Sequence, residues 1–176
     1  IVNIKGIFVI FQANSNGDNI EIYNKDRSLA TTFNLFREQR EKNNGEYLCL
    51  SDFIAPKDSQ KEDYLGGFIV TAGLGADEYA KKLETEGDSY NLIMLKLVCD
   101  RLAEAFAEKL HEDIRKNYWG YAPNENLSMK EIFKGSYRGI RPAFGYPSLI
   151  DQSQMKRLFD ILDGENVTGV KLTESY

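Results

Sequence analysis

At 176 residues, with 42% apolar and 28% charged residues, the chain has the size of one domain and enough apolar material for a core, which excludes general disorder. Its formal net charge of −5, from 22 Lys and Arg against 27 Asp and Glu, argues against nucleic acid as the main partner. The longest apolar run, residues 7–11, is far too short to cross a bilayer and no charged-then-apolar leader opens the chain, so a cytoplasmic location without membrane contact is expected.

Residues 6–13 are rich in strand formers, 14–19 carry turn chemistry and 20–23 alternate, which predicts a β-hairpin. Residues 31–42 read as a polar helix with Phe33 and Phe36 at helical spacing and Leu35 beside them. Strand composition returns at 47–50 and 64–71, with Pro56 marking the loop between them. The glycines of Gly73-Leu-Gly-Ala-Asp-Glu78 lack the third glycine of a dinucleotide fingerprint, and Glu78 would repel a pyrophosphate, so the stretch reads as a tight strand-to-helix turn.

From Asp88, a plausible N-cap, the period changes. Leu92, Leu95, Cys99, Leu102, Phe106, Leu110 and Ile114 recur every three or four residues, predicting one amphipathic helix of about 28 residues and roughly 42 Å, ending near Trp119-Gly120. Ser128-x-x-Glu131 has the form of a capping box and opens a short helix; residues 152–162 make another, stopped by Gly164, and 167–173 read as a final strand. Strands early, helices late and no βαβ alternation indicate an α+β fold, with a mainly antiparallel sheet, one long amphipathic helix and shorter ones, in a single domain spanning 1–176.

Cys49 and Cys99 sit in apolar surroundings, and with the lone His111 they fall short of a usual zinc set, so both are expected to be core residues rather than ligands or a disulfide. Two glycosylation sequons, at Asn126 and Asn166, are taken as chance matches. Asp100, Glu104 and His111 project onto one flank of the long helix within about 40° of each other. Such a row suits either a ligand or a solvated flank with Lys96 and Arg101 as counter-charges.

The densest constellation is the 135–151 segment, GSYRGIRPAFGYPSLID, with two of the four prolines, three glycines and two arginines. Pro142 restricts Arg141 towards extended backbone, Gly139 and Gly145 permit close approach, and Tyr146 adds a flat face with a hydroxyl. The guanidinium fork of Arg141 suits a carboxylate or phosphate, whether of a ligand or of a neighbouring acidic side chain. In 118–127, three rings in four residues read as a local cluster, and Glu125 with its asparagines as caps for the next helix.

Taken together, DRLAEAFAEKLHEDIRKNYWGYAPNENLS, GIRPAFGYP and TGVKLTES, with GDNIEIY, DFIAPK and DYLGGFIVTAG before them, resemble the activation (reactivation) domain of cobalamin-dependent methionine synthase over almost the whole chain. The resemblance implies a module that binds S-adenosylmethionine and closes over the cobalamin-binding domain of the same protein. There cob(II)alamin, reduced by one electron from a flavodoxin-type donor, is remethylated within a 5-methyltetrahydrofolate–homocysteine methyltransferase. It places the ligand contacts at Arg141, Ala143, Tyr146 and Glu104, and the surface facing the cobalamin domain at Asp100 and Tyr146, with no catalytic side chain and no metal ligand. Phe144 stands where the motif has proline. The resemblance further implies that 1–176 is a fragment lacking N- and C-terminal parts of the domain and inactive alone. Lys130, Lys134 and Arg138 are the expected basic patch for an acidic electron carrier. The rival reading is a non-catalytic ligand-sensing or interaction domain on the same scaffold.

Overall fold

The hairpin is present as predicted in the computed structural model, which describes residues 2–41 and 45–173. Strand β1 (Asn3–Asn16) pairs antiparallel with β2 (Asn19–Tyr23), Asn16 facing Asn19 and Gln12 facing Tyr23. The strands run closer to the turn than the sequence reading of 14–19 allowed, leaving Gly17 and Asp18 as the two-residue connection. Gly17 has φ +60°, which a first turn position of type II′ requires and a side chain disfavours. Strand β3 (Leu29–Phe33) adds antiparallel to β2, and β4 (Asp63–Leu74) completes a sheet of order β3-β2-β1-β4.

The described residues fall into two compact units. Unit 2 comprises 8–41, 45–68, 141–165 and 171–173. Its core gathers Ile20 and Ile22, fully buried on β2, with Cys49, Leu50 and Leu149. Within this unit, α4 (Gln154–Leu162) packs on the strands where Gly67 has no side chain: a Cβ there would lie 2.8 Å from Leu158 Cδ1. Helix α4 ends on Asp163, in left-handed conformation at φ +51°, rather than on the predicted Gly164.

The predicted helix at 31–42 is absent from the described part of that range; position 42 lies outside the described residues. Thr31, Thr32 and Phe33 join β3, as β-branched and aromatic residues favour, and 34–41 run irregularly. Tertiary bonds replace the helical ladder: Leu35 N–H donates to Asn19 Oδ1 at 3.3 Å and Glu38 N–H to the Leu48 carbonyl at 3.0 Å. The Arg37 fork clamps Asp52 at 2.8 and 2.6 Å. The predicted strand at 47–50 is corrected in the same way: the segment forms isolated bonds to Glu38 and Ser148 rather than a strand ladder and leads into a 3-10 turn, Leu50–Phe53, with Cys49 N–H donating to Asp52 Oδ2 at 2.9 Å.

Glu21 shows how unit 2 handles a buried charge. Its carboxylate accepts from Lys57 Nζ at 2.6 Å, Asn16 Nδ2 at 2.8 Å and the Tyr23 hydroxyl at 2.7 Å. The Lys57 and Asn16 bonds outweigh the opposing effect of burial and bring its pKa from 4.5 down to about 2. Burial, then the bond to Glu21, pushes Tyr23 up to about 12. Because the folded value lies below the unfolded one, this stabilisation is complete above pH 4.5 and is lost as pH falls towards 2. Glu21→Gln is therefore expected to flatten the acid limb of stability across that window, read as urea midpoints against pH.

Unit 1 comprises 2–7, 69–140 and 166–170. Gly75, at φ +85°, turns the chain from β4 into α1 (Ala76–Glu86), the tight turn expected of the glycine pair. Asp88 caps α2 (Ser89–Asp113), its carboxylate accepting from Asn91 N–H at 3.0 Å. The helix then widens into a π turn, Ile114–Tyr118, closed by Trp119 N–H to the Ile114 carbonyl at 2.8 Å. Together these make the long helix the periodicity called for. One member of the predicted apolar row, Leu102, is 38% exposed and lies outside the buried face.

The capping box is formed. Ser128 N–H donates to Glu131 Oε2 at 2.8 Å and opens α3 (Met129–Phe133). The strand predicted at 167–173 does not form: α5 (Gly164–Thr168) takes its first residues, Gly169 turns at φ +79°, and Val170 N–H donates to Thr168 Oγ1 at 3.2 Å. Among the described residues no helix is long and apolar enough to cross a membrane.

Candidate functional site

In unit 2 the segment after Ile140 is a braced loop. Tyr146 and Leu149 form an isolated antiparallel bridge, with Gly145 N–H donating to the Leu149 carbonyl and Leu149 N–H to the Tyr146 carbonyl, both at 2.8 Å. Leu149 plugs the core, and the Ser148 carbonyl accepts from Leu50 N–H at 2.8 Å. Gly145 is needed twice over: its φ is +94°, and a Cβ would sit 2.9 Å from Gln152 Nε2. Phe144, at the motif's proline position, packs against the core.

On this frame Arg141 is half-buried, its guanidinium carbon 6.0 Å from the Phe68 ring centroid. Ala143 and Tyr146 are exposed, and the Ala143 carbonyl is engaged by Tyr146 N–H at 3.1 Å. The loop thus brings Arg141, Ala143 and Tyr146 together on one rigid scaffold, presenting a cation, a backbone and a ring. A planar guanidinium fork is a donor set for a carboxylate or a phosphate. A cleft of about 610 Å³ in the same unit, with Asn16, Ser51, Asp52 and Lys57 in its wall, includes none of the three. Two of its charges are already matched, Asp52 by Arg37 and Lys57 by Glu21.

In unit 1, Asp100 and Glu104 are exposed on α2, and Glu104 accepts from the Arg101 guanidinium at 2.6 Å. His111, the third member of the predicted row, is not with them. It is buried, and its Nδ1 lies 2.7 Å from Nη1 of Arg115. A guanidinium only donates, so Nδ1 accepts and the His111 proton sits on Nε2.

Arg115 itself is the largest fully buried side chain of the described residues. Glu125 takes its fork with bonds of 2.9 and 2.6 Å, and Tyr137 lies under it, 4.3 Å from guanidinium carbon to ring centroid. Burial works against the charged form, yet the Glu125 carboxylate more than offsets it and the pKa is raised. The sequence reading took Glu125 for a cap; it is the counter-ion of a buried cation, and the only signal was an arginine following Ile114 on the apolar row. Of the three rings expected to cluster in 118–127, Trp119 lies edge-on to Tyr121 at 5.2 Å, while Tyr118 is 61% exposed. Arg138 lies over Tyr121 and donates to its carbonyl at 3.2 Å, while Lys130 and Lys134 are exposed.

Over residues 1–176 the sequence matches the family described as vitamin B12 dependent methionine synthase, activation domain. The chain belongs to this family. A crystal structure of the MetH reactivation domain bound to AdoHcy is similar to this activation domain at 48% identity and a TM-score of 0.92, covering 99% of this chain and 55% of that one. The chain therefore spans about half the length of that relative. Arg141, Pro142 and Ala143 sit on the braced loop of unit 2, while Asp100 and Glu104 sit on the helix of unit 1.

Proposed function

We propose that this activation domain binds S-adenosylmethionine and serves the re-methylation of cobalamin held by another domain of the same methionine synthase, in the cytoplasm. The observation that carries this is the 48% identity to a reactivation domain bound to AdoHcy, extending over 99% of the chain. AdoHcy is S-adenosylmethionine without its methyl group, so a site for one has the carboxylate, ammonium and nucleoside contacts for the other.

Bound S-adenosylmethionine supplies a methyl group activated by its sulfonium, and the reduced cobalt of cobalamin a nucleophile to receive it. This chain's residues then act by position and charge rather than by proton transfer. Arg141 holds the ligand's carboxylate. The Ala143 backbone and the Tyr146 ring line the same loop, and Tyr146 and Asp100 face the cobalamin domain. Glu104 contacts the ligand and exchanges its Arg101 partner to do so; an exposed pair of this kind is worth only about 0.2–1 kcal/mol, so the exchange is cheap. A flavodoxin-type electron donor, acidic in character, docks near exposed Lys130 and Lys134.

Isothermal titration of the protein encoded by the complete gene tests this. S-adenosylmethionine and S-adenosylhomocysteine are both expected to give saturable heats at one site. A flat titration with both ligands overturns the proposal.

A further inference from the structure

The chain approaches Arg141 through residues that are anchored one after another. Residues 137–139 lie in unit 1 and rest on the end of the long helix and the segment after it. Tyr137 turns its face to the Arg115 guanidinium, 4.3 Å from carbon to ring centroid, and packs at right angles to His111 with ring centroids 4.8 Å apart. The Arg138 carbonyl accepts from the Tyr121 hydroxyl at 3.3 Å, and Nη1 of Arg138 donates back to the Tyr121 carbonyl at 3.2 Å. Gly139, at φ +87°, turns left-handed beside the same hydroxyl.

The base of this anchor is stiff. Arg115 is fully buried, Glu125 takes both sides of its fork, and its carbonyl accepts from Ala122 N–H at 2.9 Å. It stands on the π turn, a rare form that recurs at functional sites. Between the anchor and Arg141 there is one residue, Ile140, and on the far side Pro142 restricts Arg141 to extended backbone. A side chain carried on several freely rotating residues samples many directions, and only the fraction aimed correctly binds. We infer that Tyr137 and Tyr121 are positioning residues for S-adenosylmethionine, acting through Arg141, with the buried Arg115–Glu125 pair as the foundation from which that guanidinium is aimed. The inference rests on Arg141 holding the ligand's carboxylate, as proposed above.

Isothermal titration of variants of the protein encoded by the complete gene tests it, with two ligands. Decarboxylated S-adenosylmethionine lacks the group that Arg141 holds, so misaiming Arg141 costs that ligand nothing. Tyr137→Leu is expected to weaken S-adenosylmethionine about tenfold, as when about a tenth of the molecules keep the guanidinium aimed, and Tyr121→Phe about threefold. Tyr137→Phe keeps the ring and is expected to bind as the parent does. Neither weakened variant is expected to change the affinity for the decarboxylated ligand by more than about twofold. Should Tyr137→Leu fail to fold, Tyr121→Phe, which loses a single hydroxyl, carries the comparison. Parent-like binding of S-adenosylmethionine in the weakened variants overturns the inference. Equal losses for the two ligands also overturn it, because the tyrosines then hold the fold and not the aim of Arg141. In both cases the parent still binds S-adenosylmethionine, whereas a parent that gives no heat with it overturns the proposed function itself, and this inference with it.

Discussion

Glu125→Ala is expected to destabilise the protein by about 3–5 kcal/mol, the cost of leaving a buried charge without its partner. Arg115 has no exposed surface and directs one side of its fork at Glu125, another nitrogen at His111 and its flat face at Tyr137. With the carboxylate gone, neither the imidazole nor the ring supplies the missing negative charge. The double replacement Arg115→Met with Glu125→Leu is expected to lie much closer to the parent, because exchanging a whole buried pair for apolar groups of similar volume is often neutral. By contrast, Arg101→Ala breaks a pair whose side chains are 76% and 66% exposed and is expected to cost under about 1 kcal/mol. Urea midpoints for the four proteins give the ranking directly. Equal costs for Glu125→Ala and Arg101→Ala would contradict the assignment of Arg115 as the charge that organises unit 1.

Arg141→Ala is expected to weaken S-adenosylmethionine binding about a hundredfold, a larger loss in free energy than any it causes in the stability of the fold. A charge-assisted fork on a carboxylate is worth about 3 kcal/mol, and 1.4 kcal/mol is a factor of ten. Arg141→Lys is expected to fall between the two, since an ammonium keeps the charge but loses the planar pair of donors. Gly145, Tyr146, Ser148 and Leu149 brace the loop through their backbones, and Leu149 anchors it in the core. A loss of affinity accompanied by an equal loss of stability would mean that Arg141 holds the fold together and not the ligand.

Those elements were legible in the sequence whose signals are local and repeated. Alternation on 20–23 flanking a glycine turn fixed the hairpin, the three-and-four spacing from Leu92 to Ile114 fixed the long helix, and Asp88 and Ser128 marked its start and that of α3. Where distant partners decide the conformation, the local pattern misled. Phe33 and Phe36 have helical spacing, but Arg37 reaches Asp52 and Asp18, and Glu38 N–H reaches the Leu48 carbonyl, so the backbone beyond β3 runs irregularly. The residues at 167–173 have strand composition, but Gly169 turns left-handed within them. Arg115 and Glu125 were the hardest to see, because a buried ion pair ten residues apart looks in sequence like two surface charges.

For the site, composition and spacing marked the Arg141 loop as rigid, with a ligand and an internal partner equally open, and the α2 flank as acidic, with a solvated flank ahead of a ligand. His111 shows why: it shares the helical flank of Asp100 and Glu104, yet about two turns further on it is buried against Arg115. The ligand reading came from the family resemblance, and the matches to the family and to the AdoHcy-bound reactivation domain are what support it.

The most direct test is a crystal structure of the protein encoded by the complete gene, grown with S-adenosylhomocysteine. The expected result is the ligand's carboxylate within about 3 Å of the Arg141 guanidinium nitrogens, in fork geometry. The contradicting result is a ligand whose carboxylate is held by other donors, with the Arg141 guanidinium still lying over Phe68.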